Sequence, residues 1–211
     1  MTTMTNIRRG AVTILAALAL MAIPADRAEA QENFFGFSWV PGMTSGDTNS
    51  YVSSFSWRGA SIDFRRFPSS NYSFGFTGTW QVFHENSFET EVGSIGDQPI
   101  SGAVSGQQYR YVNVFPFLAT AHYYLGSRRD PRIFLGGGAG AYWAERRTEM
   151  GLYAFTNSTW HFGVAPEIGA MFPVGTGAYL YVKANYNWTT KSSDLDYQFF
   201  GFSVGFAGMS F

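Results

Sequence analysis

From Tyr72 to His84 the chain reads YSFGFTGTWQVFH. Tyr72, Phe74, Phe76, Trp80 and Val82 share one parity with Gly78, while Ser73, Gly75, Thr77, Thr79 and Gln81 take the other. A period of two sends alternate side chains to opposite faces of a β-strand. The pattern returns at Trp160 to Phe172, where Trp160, Phe162, Val164, Ile168, Ala170 and Phe172 oppose His161, Gly163, Ala165, Glu167 and Gly169. It returns again from Ala178 to Trp188. Helical periodicity is hard to find after the first thirty residues. A chain of this kind folds as sheet, and the apolar face of that sheet must be hidden from water.

The same alternation, traced more weakly elsewhere, gives eight strands at about 33–42, 57–67, 72–84, 108–124, 132–146, 158–172, 178–189 and 197–209. Tight turns fit at 68–71, 126–131 and 173–177, which hold Pro, Gly, Asn or Ser. Longer loops are expected at 43–56, 85–107, 147–157 and 190–196, with Tyr51, Val52 and Phe55 supporting one helical turn in the first. Long and short connections therefore alternate, and an even strand number puts both termini at the end with the short turns.

Residues 1–30 stand apart. Arg8 and Arg9 precede an apolar run from Ala11 to Pro24, and Ala28-Glu29-Ala30 closes it, which is the form of a secretory signal with a small-residue cleavage site. The run is shorter than the roughly 20 residues a spanning helix needs. A mature domain over 31–211 is expected. Without Arg8, Arg9, Arg27, Asp26 and Glu29 it keeps 11 basic and 13 acidic residues, a net charge of −2 that offers nothing to nucleic acid. The absence of cysteine excludes disulfides and thiolate metal sites.

Alternation alone does not say which face is outside. Eight strands can close as a soluble barrel with an apolar interior or as a membrane barrel with an apolar exterior. The strands exceed the five or six residues common in soluble sheets. Trp39, Trp57, Trp80, Trp143, Trp160 and Trp188 all fall near strand ends on the long-loop side, where an interfacial aromatic belt would put them. A soluble barrel has no reason to gather its tryptophans there. The expectation is an all-β, eight-stranded, antiparallel up-and-down transmembrane β-barrel in the outer membrane. Its polar face would carry Asp63, Arg65, Glu167 and Lys183 inward, where opposite charges must pair because an eight-stranded lumen is filled by side chains.

The signal-like segment, the eight long strands, the tryptophans and a terminal Phe211 resemble the small outer-membrane β-barrels of the OmpA transmembrane domain, OmpX and OmpW type. Stretches such as SWRGASIDFRRF and GLYAFTNSTWHFGVAPEIGAMFPV are similar to those of uncharacterised outer-membrane β-barrel proteins. The resemblance implies a monomer facing outer-membrane lipid and lipopolysaccharide, with Phe211 as a signal to the barrel assembly machinery. It implies no cofactor, no metal and no peptidoglycan-binding module after Phe211. The strong apolar series Phe200, Phe202, Val204 and Phe206 has the opposite parity to Phe211, so a bulge near Gly208 or a strand end near Ala207 is expected.

Chemistry-bearing motifs are sparse. His84, Glu85 and Ser87 lie together in FHENSF, yet adjacency in a loop does not make a nucleophile, base and acid, and a solvated loop is the plainer reading. GGGAGA at 136–141 runs into more strand pattern instead of a helix, so it reads as thin barrel wall and not as a phosphate loop. Asn71, Asn157 and Asn187 match a glycosylation pattern by accident. Glu85, Glu89, Glu91 and Asp97 make one loop acidic, and Arg128, Arg129 and Arg132 surround Asp130 in a short turn. The expected role is structural or surface-interacting with a plugged polar lumen and no enzyme activity; a narrow channel for small or hydrophobic solutes is the alternative, and a lipid-modifying barrel enzyme the third.

Overall fold

Backbone pairing sets the architecture. The computed structural model describes residues 32–95, 98–127, 129–192 and 195–210; the signal-like segment, Asp97, Arg128 and Phe211 lie outside them. The strands are β1 (Glu32–Trp39), β2 (Gly42–Ser45), β3 (Phe55–Ser56), β4 (Gly59–Phe67), β5 (Tyr72–Ile95), β6 (Gln98–Leu125), β7 (Arg132–Met150), β8 (Tyr153–Gly175), β9 (Ala178–Thr189) and β10 (Gln198–Ser210), with one helix, α1 (Gly46–Tyr51). Eight of them pair antiparallel in the order β1, β4, β5, β6, β7, β8, β9, β10, and pairing of β10 with β1 closes the ring. A closed ring leaves the spanning part without an edge.

The stagger of the ring follows from its register. The row of paired residues from Phe35 runs through Phe64, Phe76, Ala119, Ala139, Val164, Trp188 and Gln198 and returns at Ser45 in β2, ten residues further along the chain. With about 3.3 Å per residue and about 4.8 Å between strands, that offset tilts the strands by roughly 40° and gives a backbone radius of roughly 8 Å. Side chains from opposite walls meet in such a lumen.

The interior is layered. At the short-turn end, Phe34, Phe67, Tyr124, Phe134, Tyr179 and Tyr181 pack with Met171 and Met209. At the loop end a second apolar layer includes Val52, Phe83, Val112, Tyr142, Tyr197 and Phe199. The polar residues lie between. α1 rests over the second layer, held where Thr48 Oγ1 accepts from the Gln198 backbone at 2.8 Å and Thr44 donates to the Val52 carbonyl at 2.7 Å.

Two of the expected long loops are strand instead. β5 and β6 continue to Ile95 and from Gln98, and β7 and β8 to Met150 and from Tyr153, as ribbons beyond the closed ring. Cross-strand contacts hold them: Thr90 to Ser105 at 2.9 Å and Arg110 to Glu89 at 2.9 Å. The described side chains of the β5–β6 ribbon beyond the ring are exposed or half-buried on both faces, so neither face selects apolar residues and the period-two signal fades, while Thr148 and Met150 stay buried in the β7–β8 ribbon. The end of β10 also differs from expectation. It pairs without a break from Trp39 with Val204 to Asn33 with Ser210, so Met209 turns into the lumen floor with no bulge at Gly208 and no early stop.

The glycines at 136–140 do form thin wall. A Cβ at Gly136 would stand 2.3 Å from the Ala121 carbonyl oxygen and 2.5 Å from His122 Cδ2. Gly136→Ala is expected to cost about 1–3 kcal/mol through overpacking, read as a lower urea midpoint for refolding into lipid vesicles.

Candidate functional site

Four charged residues meet in the middle of the lumen. Asp63 and Arg65 are two apart on β4, so both point inward, while Glu167 on β8 and Lys183 on β9 come from the opposite wall. Lys183 Nζ reaches Asp63 Oδ1 at 2.8 Å, and Arg65 Nη2 lies 3.2 Å from Asp63 Oδ1 and 3.5 Å from Glu167 Oε1. Lys183 also lies 3.5 Å from Glu167 Oε2. Two positive and two negative groups thus join walls that face each other across the ring.

Neutral donors complete the shell. Thr77 and Tyr181 hydroxyls donate to Asp63 at 2.9 and 3.1 Å, and Arg65 Nη1 donates to the Tyr124 hydroxyl at 2.8 Å. The guanidinium carbon of Arg65 sits between the rings of Phe34, at 5.1 Å, and Phe134, at 4.9 Å. Charges buried this deeply persist only when paired and hydrogen-bonded.

A further chain of side chains was not singled out from the sequence. Ser73 Oγ lies 3.3 Å from His122 Nδ1, and His122 Nε2 meets Glu167 Oε1. That order of hydroxyl, imidazole and carboxylate is the one a hydrolase uses. Here Ser73 is fully buried and also 3.1 Å from the Tyr124 hydroxyl, while Glu167 is engaged by Lys183 and Arg65. The group packs inside the lumen, its three side chains shared with the ion-paired layer and Tyr124. The inward parity of His122, between Thr120 and Tyr124, is the signal that would have found it. The trio weighed at FHENSF diverges: His84 packs on Tyr111, Glu85 accepts from the Ser53 backbone at 2.7 Å, and Ser87 donates to Glu89 at 2.6 Å.

The outer surface is the reverse of the lumen. Phe35, Phe37, Ile62, Phe64, Phe74, Phe76, Ile168, Phe202 and Phe206 are all exposed, side by side around the ring. Such a continuous apolar band costs too much to leave in water, and a closed barrel satisfies its backbone in lipid. The protein is an eight-stranded β-barrel with the apolar exterior of a membrane-spanning one.

The tryptophans of the barrel follow the pairing. Trp39, Trp80, Trp143 and Trp160 each lie four residues to the loop side of the row through Phe35, and Trp188 lies on that row. Trp57 stands just before β4, stacked on Trp39 at 5.6 Å, with Trp39 Nε1 donating to its carbonyl at 2.7 Å. All are exposed except Trp143, which is half-buried. At the opposite rim Tyr72 and Tyr123 face outward as a pair with ring centres 5.0 Å apart.

No protein-family model matches the chain, and no curated protein matches its sequence. Solved structures align with it over most of its length at low identity. OprG of Pseudomonas aeruginosa aligns over 86% of this chain and 96% of its own, at 10% identity and a TM-score of 0.49. Ail of Yersinia pestis, solved in complex with the heparin analogue sucrose octasulfate, aligns over 84% and 98% at 11% identity and 0.48. The outer membrane protease OmpT of Escherichia coli aligns over 89% and 99% at 8% identity and 0.46.

Proposed function

We propose that the barrel is closed to solutes and serves as a structural and surface-interaction element of the outer membrane, without enzymatic activity. The observation that supports this most is the ion-paired layer of Asp63, Arg65, Glu167 and Lys183, linking opposite walls between two apolar layers. Beside that layer the interior keeps a cavity of about 10 Å³, room for roughly one water. The six tryptophans act as the aromatic belt at the loop-side interface, next to lipopolysaccharide. The ribbons of β5–β6 and β7–β8 meet the exterior, the protein works as a monomer, and Phe211 is read by the barrel assembly machinery.

Reconstitution in planar lipid bilayers tests the closed lumen. A flat current trace at applied voltage is expected. Stable single-channel steps, or sugar uptake by liposomes carrying the protein, would establish the channel reading instead.

A further inference from the structure

At the loop end a cavity of about 40 Å³ opens between α1, the wall formed by β6 and β7, and the connection into β10; Asp47, Thr48, Tyr51, Val112, Arg146 and Asp196 line it. It lies above the apolar layer that includes Phe83 and Phe199, apart from the polar core.

Two side chains on it are incompletely used. Asp196 is 8% exposed; its Oδ2 accepts from Gln198 Nε2 at 2.9 Å, while Oδ1 has no hydrogen-bond partner among the described residues. A buried carboxylate oxygen without a donor carries a desolvation cost that a ligand N–H would relieve. Arg146 lies over the Tyr51 ring at 3.7 Å and makes no ion pair among the described residues. Stacking occupies the flat face of a guanidinium and leaves its N–H edge for a carboxylate.

The stack is held in place. The Tyr51 hydroxyl bonds Thr148 Oγ1 at 2.5 Å, and Arg110 approaches the same ring at 5.7 Å while paired to Glu89 at 2.9 Å. Thr48 Oγ1 accepts from the Gln198 backbone, so its own hydrogen stays available to a ligand. Asp47 pairs with Lys191 at 3.4 Å on the solvent side.

A carboxylate short of a donor and a guanidinium short of an anion, on one cavity and not bonded to each other, complement a ligand that brings both charges. The open space is that of roughly three waters, which limits the ligand to a few heavy atoms. We propose that the mouth cavity binds a small zwitterion of the α-amino acid class, its ammonium on Asp196 and its carboxylate on Arg146.

The test uses the full chain folded in lipid nanodiscs, with glycine as probe and methylammonium and acetate as its two halves, followed by saturation-transfer NMR and calorimetry. Saturable glycine binding is expected, with each half binding about tenfold more weakly or worse, since a charged hydrogen-bond partner is lost. Asp196→Asn and Arg146→Gln should each weaken glycine about tenfold. Arg147→Gln, on the opposite face and paired with Glu149 at 2.5 Å, should not change it. Absence of glycine binding by the folded protein overturns the proposal. So does methylammonium binding as tightly as glycine, which would mark a simple cation site, or indifference to both variants. Heat-shifted gel mobility reports folding of each variant, and the half-ligand comparison stands even if one variant fails to fold. The outcome is separable from the bilayer experiment, because the cavity lies outside the polar core that closes the lumen.

Discussion

Asp63→Ala is expected to destabilise the barrel by about 3–5 kcal/mol, the usual cost of removing one partner from a buried ion pair. Asp63 takes hydrogen bonds from Lys183, Thr77, Tyr181 and Arg65 at 2.8 to 3.2 Å. Its loss strands Lys183 and Arg65 with Glu167 alone, leaving two cations and one carboxylate in a buried layer. Urea titration of reversible folding into lipid vesicles measures the effect. The paired replacement Asp63→Leu with Lys183→Met should recover most of the loss, since it removes one charge of each sign and fills the volume. A cost below about 1 kcal/mol for Asp63→Ala would mean that water reaches this level and screens the cations, and the closed lumen would fall with it.

The composition of this layer was legible from parity, but its connectivity was not. Period two alone puts Asp63, Arg65, Glu167 and Lys183 on the polar face of their strands. That Arg65 meets Glu167 and Lys183 meets Asp63 across the lumen depends on a stagger of ten residues around the ring, a property of all the pairings together. Parity puts Ser73 on the polar face of its strand, but a serine and a histidine on a mixed face carry no pattern that would pair it with His122. Where a strand loses its buried face, as in β5 beyond His84, the sequence reads as loop although backbone pairing continues. α1 was legible only as a turn, since six residues hold too little periodicity and its placement rests on Thr48 and Tyr51 meeting distant strands.

The sharpest measure of the outer surface is a matched pair of arginine substitutions. Phe202 is 39% exposed in the outward run Phe200, Phe202, Val204, Phe206 of β10, while Phe88, on the ribbon beyond the ring, is 72% exposed. By exposure alone Phe88 is the more open site and neither substitution buries anything. The medium makes the difference. Phe202→Arg sets a charge in hydrocarbon and is expected to cost about 2–4 kcal/mol near the midplane, whereas Phe88→Arg should stay within about 0.5 kcal/mol, as for an ordinary wet surface. Both are read from the same urea refolding titration into vesicles. Equal, small costs would put Phe202 in water and remove the basis for calling the apolar band a lipid contact. A large cost at Phe88 would instead show the ribbon of β5 and β6 lying on the membrane, and the surface-interaction role would have to move to the β7–β8 ribbon, where Leu152 and Tyr153 are exposed at the tip.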